Sequence, residues 1–350
     1  CWEMNEWIRR DFWDAVYLDE CYEHPAKNVE AGMSVALPDG SEQPGVTNFE
    51  FRELMKRWRG IFRQNGREPF LMAHLTHSFQ YPGIVFCDSY LDGENSPIVS
   101  LTSADWVDST SKSRFEVLQN GRLWGVSSFY MPFIAEGGFE NKLKSQFLRW
   151  QWRMARQAQS EFAHYETETV FEGQGSQVHK GFWKDLIDWG GWDEKTVGFV
   201  AYWNAAPYLK VTDQGGDTLV SFYRKPGQVF LIASNRKKQE GILRIDLVLK
   251  ALGLKDKPSV RSLDSTFTPP AGDDFAGTAA VKAEAGQAFE KSLDAAAGEK
   301  EKLGEDDTEA LLVGDDGIEA RKRAALEPKL EGATLILPVR ARDYRVVVLE

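Results

Sequence analysis

The stretch Asp14-Ala15-Val16-Tyr17-Leu18-Asp19-Glu20 decides how the rest of the chain reads. It is a short run of apolar and aromatic residues that stops abruptly on two carboxylates. Such a run reads as a buried parallel strand, and in α/β barrels the groups at a strand's C-terminal end line the mouth where chemistry is done. The competing reading is an N-cap, because an acid after a strand often caps the next helix. The chain continues with Cys21-Tyr22-Glu23-His24-Pro25 and then a loop over 26–47 with Gly32, Pro38, Gly40, Pro44 and Gly45. No helical pattern resumes until Asn48, which weakens the capping reading without removing it.

Working outward, Trp2 to Trp13 holds apolar residues among charges and feeds this strand as a helix. Asn48 to Gln64 predicts an amphipathic helix, with Phe51, Leu54, Met55, Trp58, Ile61 and Phe62 at helical spacing and Asn65-Gly66 closing it. Strands are predicted over Pro69–His77, Ile84–Asp88, Gly125–Ile134 and Val197–Trp203. Helices are predicted over Ser103–Asn120, Asn141–Tyr165 and Phe182–Trp189. Strand and helix alternate, with Gly-rich strand exits, so the expectation is a parallel barrel or a doubly wound sheet.

Near Leu209 the pattern changes. Thr218 to Arg224 and Gln228 to Asn235, split by Lys225-Pro226-Gly227, predict a β-hairpin. Ile242–Leu249, Thr334–Val339 and Tyr344–Leu349 are further strands of antiparallel character, so a β-sandwich is expected over 208–350 after an α/β barrel portion over 1–207. Residues 271–331 carry 16 Asp and Glu against 8 Lys and Arg and almost no aromatics. They read as a solvated, low-complexity insertion between sandwich strands.

Composition excludes some classes. The net charge of −11 argues against nucleic acid and anionic membrane as partners, and no apolar run approaches a membrane span. Cys1, Cys21 and Cys87 are too few and too scattered for a disulfide framework or a zinc site. No cofactor fingerprint appears: there is no P-loop, dinucleotide motif or nucleophile elbow. With 12 Trp, 10 Tyr and 21 Phe, the aromatics suit either a large core or stacking platforms for sugar rings. The chain opens Cys1-Trp2-Glu3, without Met, so the expectation is a fragment. Export then depends on an upstream signal peptide, which would make it secreted or periplasmic. Oligomeric state is not legible.

Strand exits supply the candidate site: Asp19 and Glu20; His74, Thr76 and His77; Asp88, with Asp92 and Glu94 beyond it; Tyr130; and Trp203. Asp19, His77, Asp88 and Tyr130 are expected to converge on one mouth. In a strand, His74 and His77 fall on opposite faces, so no shared metal is expected. His74 reads as a core residue and His77 as the pocket hydrogen bonder, while Asp92-Gly93-Glu94 reads as a turn. Carboxylates and aromatics around a pocket suit glycosidic bond hydrolysis. Two consecutive acids cannot easily flank one bond from both sides. They do suit substrate-assisted hydrolysis, in which the sugar's own acetamido oxygen attacks. The alternative, of another class, is a non-catalytic carbohydrate-binding or structural relative.

Several segments together resemble glycoside-hydrolase-like proteins related to glycoside hydrolase family 123. These are Tyr17-Leu-Asp-Glu20, His74-Leu-Thr-His77, Ile84 to Asp88, Leu91 to Glu94, Val220 to Gly227, Leu231 to Asn235 and Leu337 to Arg345. The resemblance implies a (β/α)₈ barrel flanked by β-sandwiches, acting on β-linked N-acetylgalactosamine, a 2-acetamido sugar. By it, Asp19 orients the acetamido group and Glu20 is the acid/base. Of the other strand-exit residues, His77, Asp88, Glu94, Tyr130 and Trp203 are expected to bind substrate. In that family the Asp-Glu pair ends the fourth barrel strand, so this chain is expected to lack the first three.

Overall fold

A computed structural model describes residues 1–21, 25–30, 32–75, 84–93, 106–109, 112–119, 126–132, 152–169, 175–193, 195–212, 217–263 and 327–350. The chain divides into two compact units, residues 1–95 with 117–131, and residues 96–116 with 132–350. It is mixed α/β, with one parallel sheet and several antiparallel ones.

In the first unit the order is α1 (Trp2–Arg9), β1 (Val16–Leu18), β2 (Pro25–Ala26), β3 (Ser34–Ala36), β4 (Glu42–Val46), α2 (Asn48–Gln64), β5 (Leu71–His74), β6 (Ser89–Asp92) and β7 (Ser127–Tyr130). Strands β1, β5, β6 and β7 are parallel neighbours in that order. Their register makes rows across the sheet. Leu18, Ala73, Tyr90 and Ser128 share one face, and Tyr17, Met72, Ser89 and Ser127 share the other. Val16, Leu18, Leu71, Ala73 and Tyr90 join one core with Met55, Ile61 and Phe62 of α2 and Met4 and Ile8 of α1. Burying each large apolar side chain is worth about 1.5–3 kcal/mol, so the helix-covered face fixes the register. The residue opposite, Tyr17, stays exposed.

Two expectations for this unit need correction. Residues 26–47 are not all loop: β2, β4 and β3 form a small antiparallel sheet. Asp39 builds the β3–β4 turn by accepting from the Ser41 amide and hydroxyl at 2.9 and 2.6 Å. These strands are mostly exposed, so no apolar alternation announces them. Ile84–Asp88 is a turn, with the Cys87 amide donating to the Ile84 carbonyl at 2.8 Å, and the strand begins at Ser89. Ile84 and Cys87 are buried against the α2 side of the core, so their apolar character reports burial without strand geometry.

The predicted helix over Ser103–Asn120 is two short helices, Trp106–Ser109 and Lys112–Leu118. In the second unit a helix over residues 152–162 leads to β8 (Glu168–Thr169) and the helix Gly175–Trp189. Then come β9 (Gly198–Val200), β10 (Leu209–Val211), β11 (Thr218–Lys225), β12 (Gln228–Asn235), β13 (Gly241–Leu247), β14 (Val260–Ser262), β15 (Lys329–Glu331), β16 (Thr334–Val339) and β17 (Asp343–Leu349). Two antiparallel sheets result, β10-β13-β16-β15 and β14-β17-β12-β11-β9. The β11–β12 hairpin pairs without a break from Thr218↔Asn235 to Lys225↔Gln228, and Gly227 at φ +77° closes its two-residue turn.

Both sheets contribute to one core: Leu231 and Val347 from one meet Leu243, Ile245, Leu335 and Leu337 from the other. The alternate residues of the five-stranded sheet, Phe230, Ile232, Val346 and Val348, pack with Phe182, Leu186 and Trp189 of the helix. Coverage on both faces explains the unbroken apolar runs Val229–Ala233 and Val346–Leu349, which in isolation read like parallel strands.

Val197–Trp203, expected as a strand of the barrel portion, is corrected: β9 pairs antiparallel with β11 through Phe222↔Val200. An apolar run signals burial but not the direction of its partner. Of residues 271–331, those up to 326 lie outside the described residues, whereas Lys329–Glu331 is β15, paired with β16.

Candidate active site

The site is built at the C-terminal ends of the parallel strands. One residue past β1, Asp19 follows Tyr17 at the two-residue spacing that returns to the same face. One step past the Leu18↔Ala73 pair, it stands level with His74. His74 Nδ1 lies 2.9 Å from Asp19 Oδ1 and 2.5 Å from the Tyr17 hydroxyl. The carboxylate is 66% exposed while the imidazole beneath it is 4% exposed. The Glu20 amide also donates to Asp19 Oδ1, at 2.9 Å. Glu20 itself is exposed and sits at φ +52°, a left-handed conformation that costs a residue with a Cβ roughly 1 kcal/mol or more. The next amide, Cys21 N–H, donates to the His74 carbonyl at 2.7 Å. The Asp19-Glu20 exit is therefore a tight bend held on both sides by His74.

Cys21 supports the bend from below, its thiol donating to the Leu18 carbonyl at 3.4 Å. Burial pushes this thiol up to about 12, which makes it a core group and not a nucleophile. Among the described residues no cluster of three or more His, Cys, Asp or Glu could hold a metal ion.

The other candidates separate. Asp88 precedes β6 and stands at the N-terminal end of the sheet, opposite the end that carries Asp19. Its Oδ2 accepts from the Leu71 amide at 2.8 Å and from Arg59 at 2.7 Å. The expected strand exit at Asp88 fails because Ile84–Cys87 is a turn. Tyr130 does lie at the C-terminal end, but through the Asp92↔Tyr130 pair it takes the row parity of Tyr90, on the helix-covered face. It is buried there. Asp92 shares that face: its carboxylate accepts from the Gly93 amide at 2.7 Å and from Gln119 at 3.1 Å. The nearby Tyr90 hydroxyl donates to the Leu118 carbonyl, and burial drives its pKa up. The expected convergence of Asp19, Asp88 and Tyr130 on one mouth is thus corrected. His77 and Glu94 lie outside the described residues. Trp203 belongs to the second unit, where its ring packs 4.8 Å from Tyr202 and 5.7 Å from Tyr165.

The strand-exit reading omits Tyr17 and takes His74 for a core residue. Strand parity was the available signal: Leu71, Ala73 and Leu75 point inward, so His74 points with Met72 to the face that Asp19 shares.

No family model and no curated protein matches the chain. Among solved structures it is similar to an Anoxybacillus alpha-amylase at 9% identity and a TM-score of 0.47, over 99% of this chain and 60% of that one. A maltogenic alpha-amylase from Thermotoga neapolitana gives 7% identity and 0.47, over 99% and 80%. A GH27 β-L-arabinopyranosidase from Geobacillus stearothermophilus gives 12% and 0.41, over 99% and 60%. These neighbours are glycoside hydrolases; their scores all lie below 0.5, and the functional reading rests on the site's own residues. Among the described residues no helix is long and apolar enough to cross a membrane.

Proposed function

We propose that this chain is a glycoside hydrolase for 2-acetamido sugars, related to family 123, in which β1, β5, β6 and β7 are part of a (β/α)₈ barrel and a β-sandwich that takes in β9 follows. Asp19 accepts the acetamido N–H. The acetamido oxygen forms a bond to the anomeric carbon as the bond to the leaving oxygen breaks, and Glu20 gives that oxygen its proton. Water then opens the intermediate and returns a proton to Glu20. His77 and Glu94 are the sugar-binding groups of this reading.

The observation that carries it is Asp19 itself: an exposed carboxylate at a parallel strand exit, on the face opposite α1 and α2, with one oxygen beside Glu20 N–H and His74 Nδ1. The sandwich assignment is supported by the single core that the two antiparallel sheets share. The test is Glu20→Gln. On an unactivated glycoside it should lose roughly a hundredfold or more in turnover, the usual worth of a placed proton donor. On a 4-nitrophenyl glycoside the loss should be much smaller, because that leaving group scarcely needs a proton. Equal turnover of Glu20→Gln and the parent on both substrates would remove Glu20 as the acid, and glycan binding by a parent that hydrolyses neither substrate would favour the carbohydrate-binding alternative.

A further inference from the structure

We propose that His74 is the positioning residue of Asp19, fixing which carboxylate oxygen faces the substrate, through an Nδ1–H tautomer that Asp19 stabilises and with which the Tyr17 hydroxyl competes; this rests on the reading of Asp19 as the acetamido-orienting group.

The geometry limits the possibilities. Two nitrogens converge on Asp19 Oδ1, that of the Glu20 amide and His74 Nδ1, each at 2.9 Å. Oδ2 takes neither bond. A carboxylate pinned this way presents one oxygen outward, which matches a ligand group offering a single N–H. The pin is well anchored, because His74 is buried within a paired strand while Asp19 is exposed. His74 also accepts the Cys21 amide on its carbonyl at 2.7 Å, so backbone and side chain of one residue set the position of the Asp19-Glu20 bend.

Proton accounting links the three side chains. A ring nitrogen carries one proton or one lone pair, never both. With Asp19 ionised, the attractive state places the proton on Nδ1 and aims it at Oδ1, with the Tyr17 oxygen 2.5 Å away as a second acceptor. If Tyr17 donates to Nδ1 instead, the neutral ring holds its proton on Nε2. Then Nδ1 and an ionised Oδ1 oppose lone pairs at 2.9 Å, and the pin is lost unless Asp19 is protonated. Removing the Tyr17 hydroxyl removes that competing state.

The test has an arm that does not need turnover. In ¹⁵N-labelled protein, with His74 assigned by comparison with His74→Asn, the long-range imidazole spectrum should show the Nδ1–H tautomer. Tyr17→Phe should keep it, and Asp19→Leu should shift the population toward Nε2–H. In the kinetic arm, with 4-nitrophenyl 2-acetamido-2-deoxy-β-galactopyranoside as probe, His74→Leu should lower kcat about ten- to a hundredfold with a smaller change in KM, as misplacement of a reacting partner does. His74→Asn carries an N–H donor near the Nδ1 position and should recover most of the loss. An Nε2–H tautomer in the parent would overturn the proposal. So would an unchanged kcat in a folded His74→Leu variant, or failure of His74→Asn to exceed His74→Leu. A parent that hydrolyses no 2-acetamido glycoside would sink the hydrolase reading alone, leaving the tautomer to decide the positioning.

Discussion

Arg59 donates to Asp88 Oδ2 at 2.7 Å, and the same oxygen accepts the Leu71 amide at 2.8 Å. Arg59 also reaches the Phe86 carbonyl at 3.1 Å. One guanidinium on α2 thus ties the turn before β6 to the first amide of β5. Both side chains are mostly buried, at 19% and 28% exposure. Asp88→Ala should therefore cost about 1–3 kcal/mol, the penalty of leaving such partners unsatisfied. The urea unfolding midpoint would show it, with hydrolysis by the folded fraction unchanged. A loss of turnover without loss of stability would return Asp88 to the site.

Gly93 follows Asp92 at φ +107°, and an added Cβ would come within 2.6 Å of the Met131 carbonyl and 2.7 Å of the Tyr130 ring. Neither neighbour can yield cheaply, one being backbone and the other a buried ring. Gly93→Ala should destabilise by roughly 1–3 kcal/mol through strain and overpacking. Thermal unfolding that matches the parent would contradict this.

Burial holds His164 down at about 3, and its two ring nitrogens bond Ser221 and Ser234 at 2.8 and 2.7 Å. The unfolded chain binds a proton as pH falls below about 6.5, which the folded chain refuses until far lower. This contribution to stability is complete above that pH and is lost on descent toward about 3. His179, lowered to about 4 by burial, adds in the same direction. Unfolding free energies measured from pH 7 to 4 should fall less steeply in His164→Gln than in the parent, by up to about 1.4 kcal/mol per pH unit. Parallel profiles would show that His164 does not titrate this way.

Cys1 is exposed, whereas Cys21 and Cys87 are buried and both thiols are pushed up to about 12 by burial. A thiol reagent at neutral pH should modify Cys1 at once and the other two only after denaturation. Rapid modification of Cys21 in the folded protein would show that the bend beneath Asp19 is open.

Much of the fold was legible where one signal dominated. The α2 helix announced itself by period, the β11–β12 hairpin by its Pro-Gly turn, and β1 by an apolar run cut off by acids. The failures share a cause. Ile84 and Cys87 are buried, and Val197, Phe199 and Val200 are half-buried against a core; such contact specifies neither strand geometry nor the direction of a partner. The β3–β4 hairpin is held by a turn and backbone pairing with little burial, so hydrophobicity could not reveal it. At the site, Asp19 and Glu20 were visible as an exit, but His74 was read as core because buried and functional histidines look alike in sequence. Only the Leu18↔Ala73 register brings Asp19 level with it.

The central claim is that Asp19 and Glu20 act on 2-acetamido sugars with the acetamido group as participant. The most direct measurement compares initial rates on 4-nitrophenyl 2-acetamido-2-deoxy-β-galactopyranoside and on its 2-hydroxy counterpart, for the parent and for Asp19→Asn. The account predicts that the parent favours the acetamido substrate by roughly a hundredfold or more and that Asp19→Asn removes most of that preference, since orientation of an internal nucleophile is worth at least that much. Equal rates on the two sugars in the parent, or an undiminished preference in Asp19→Asn, would contradict it.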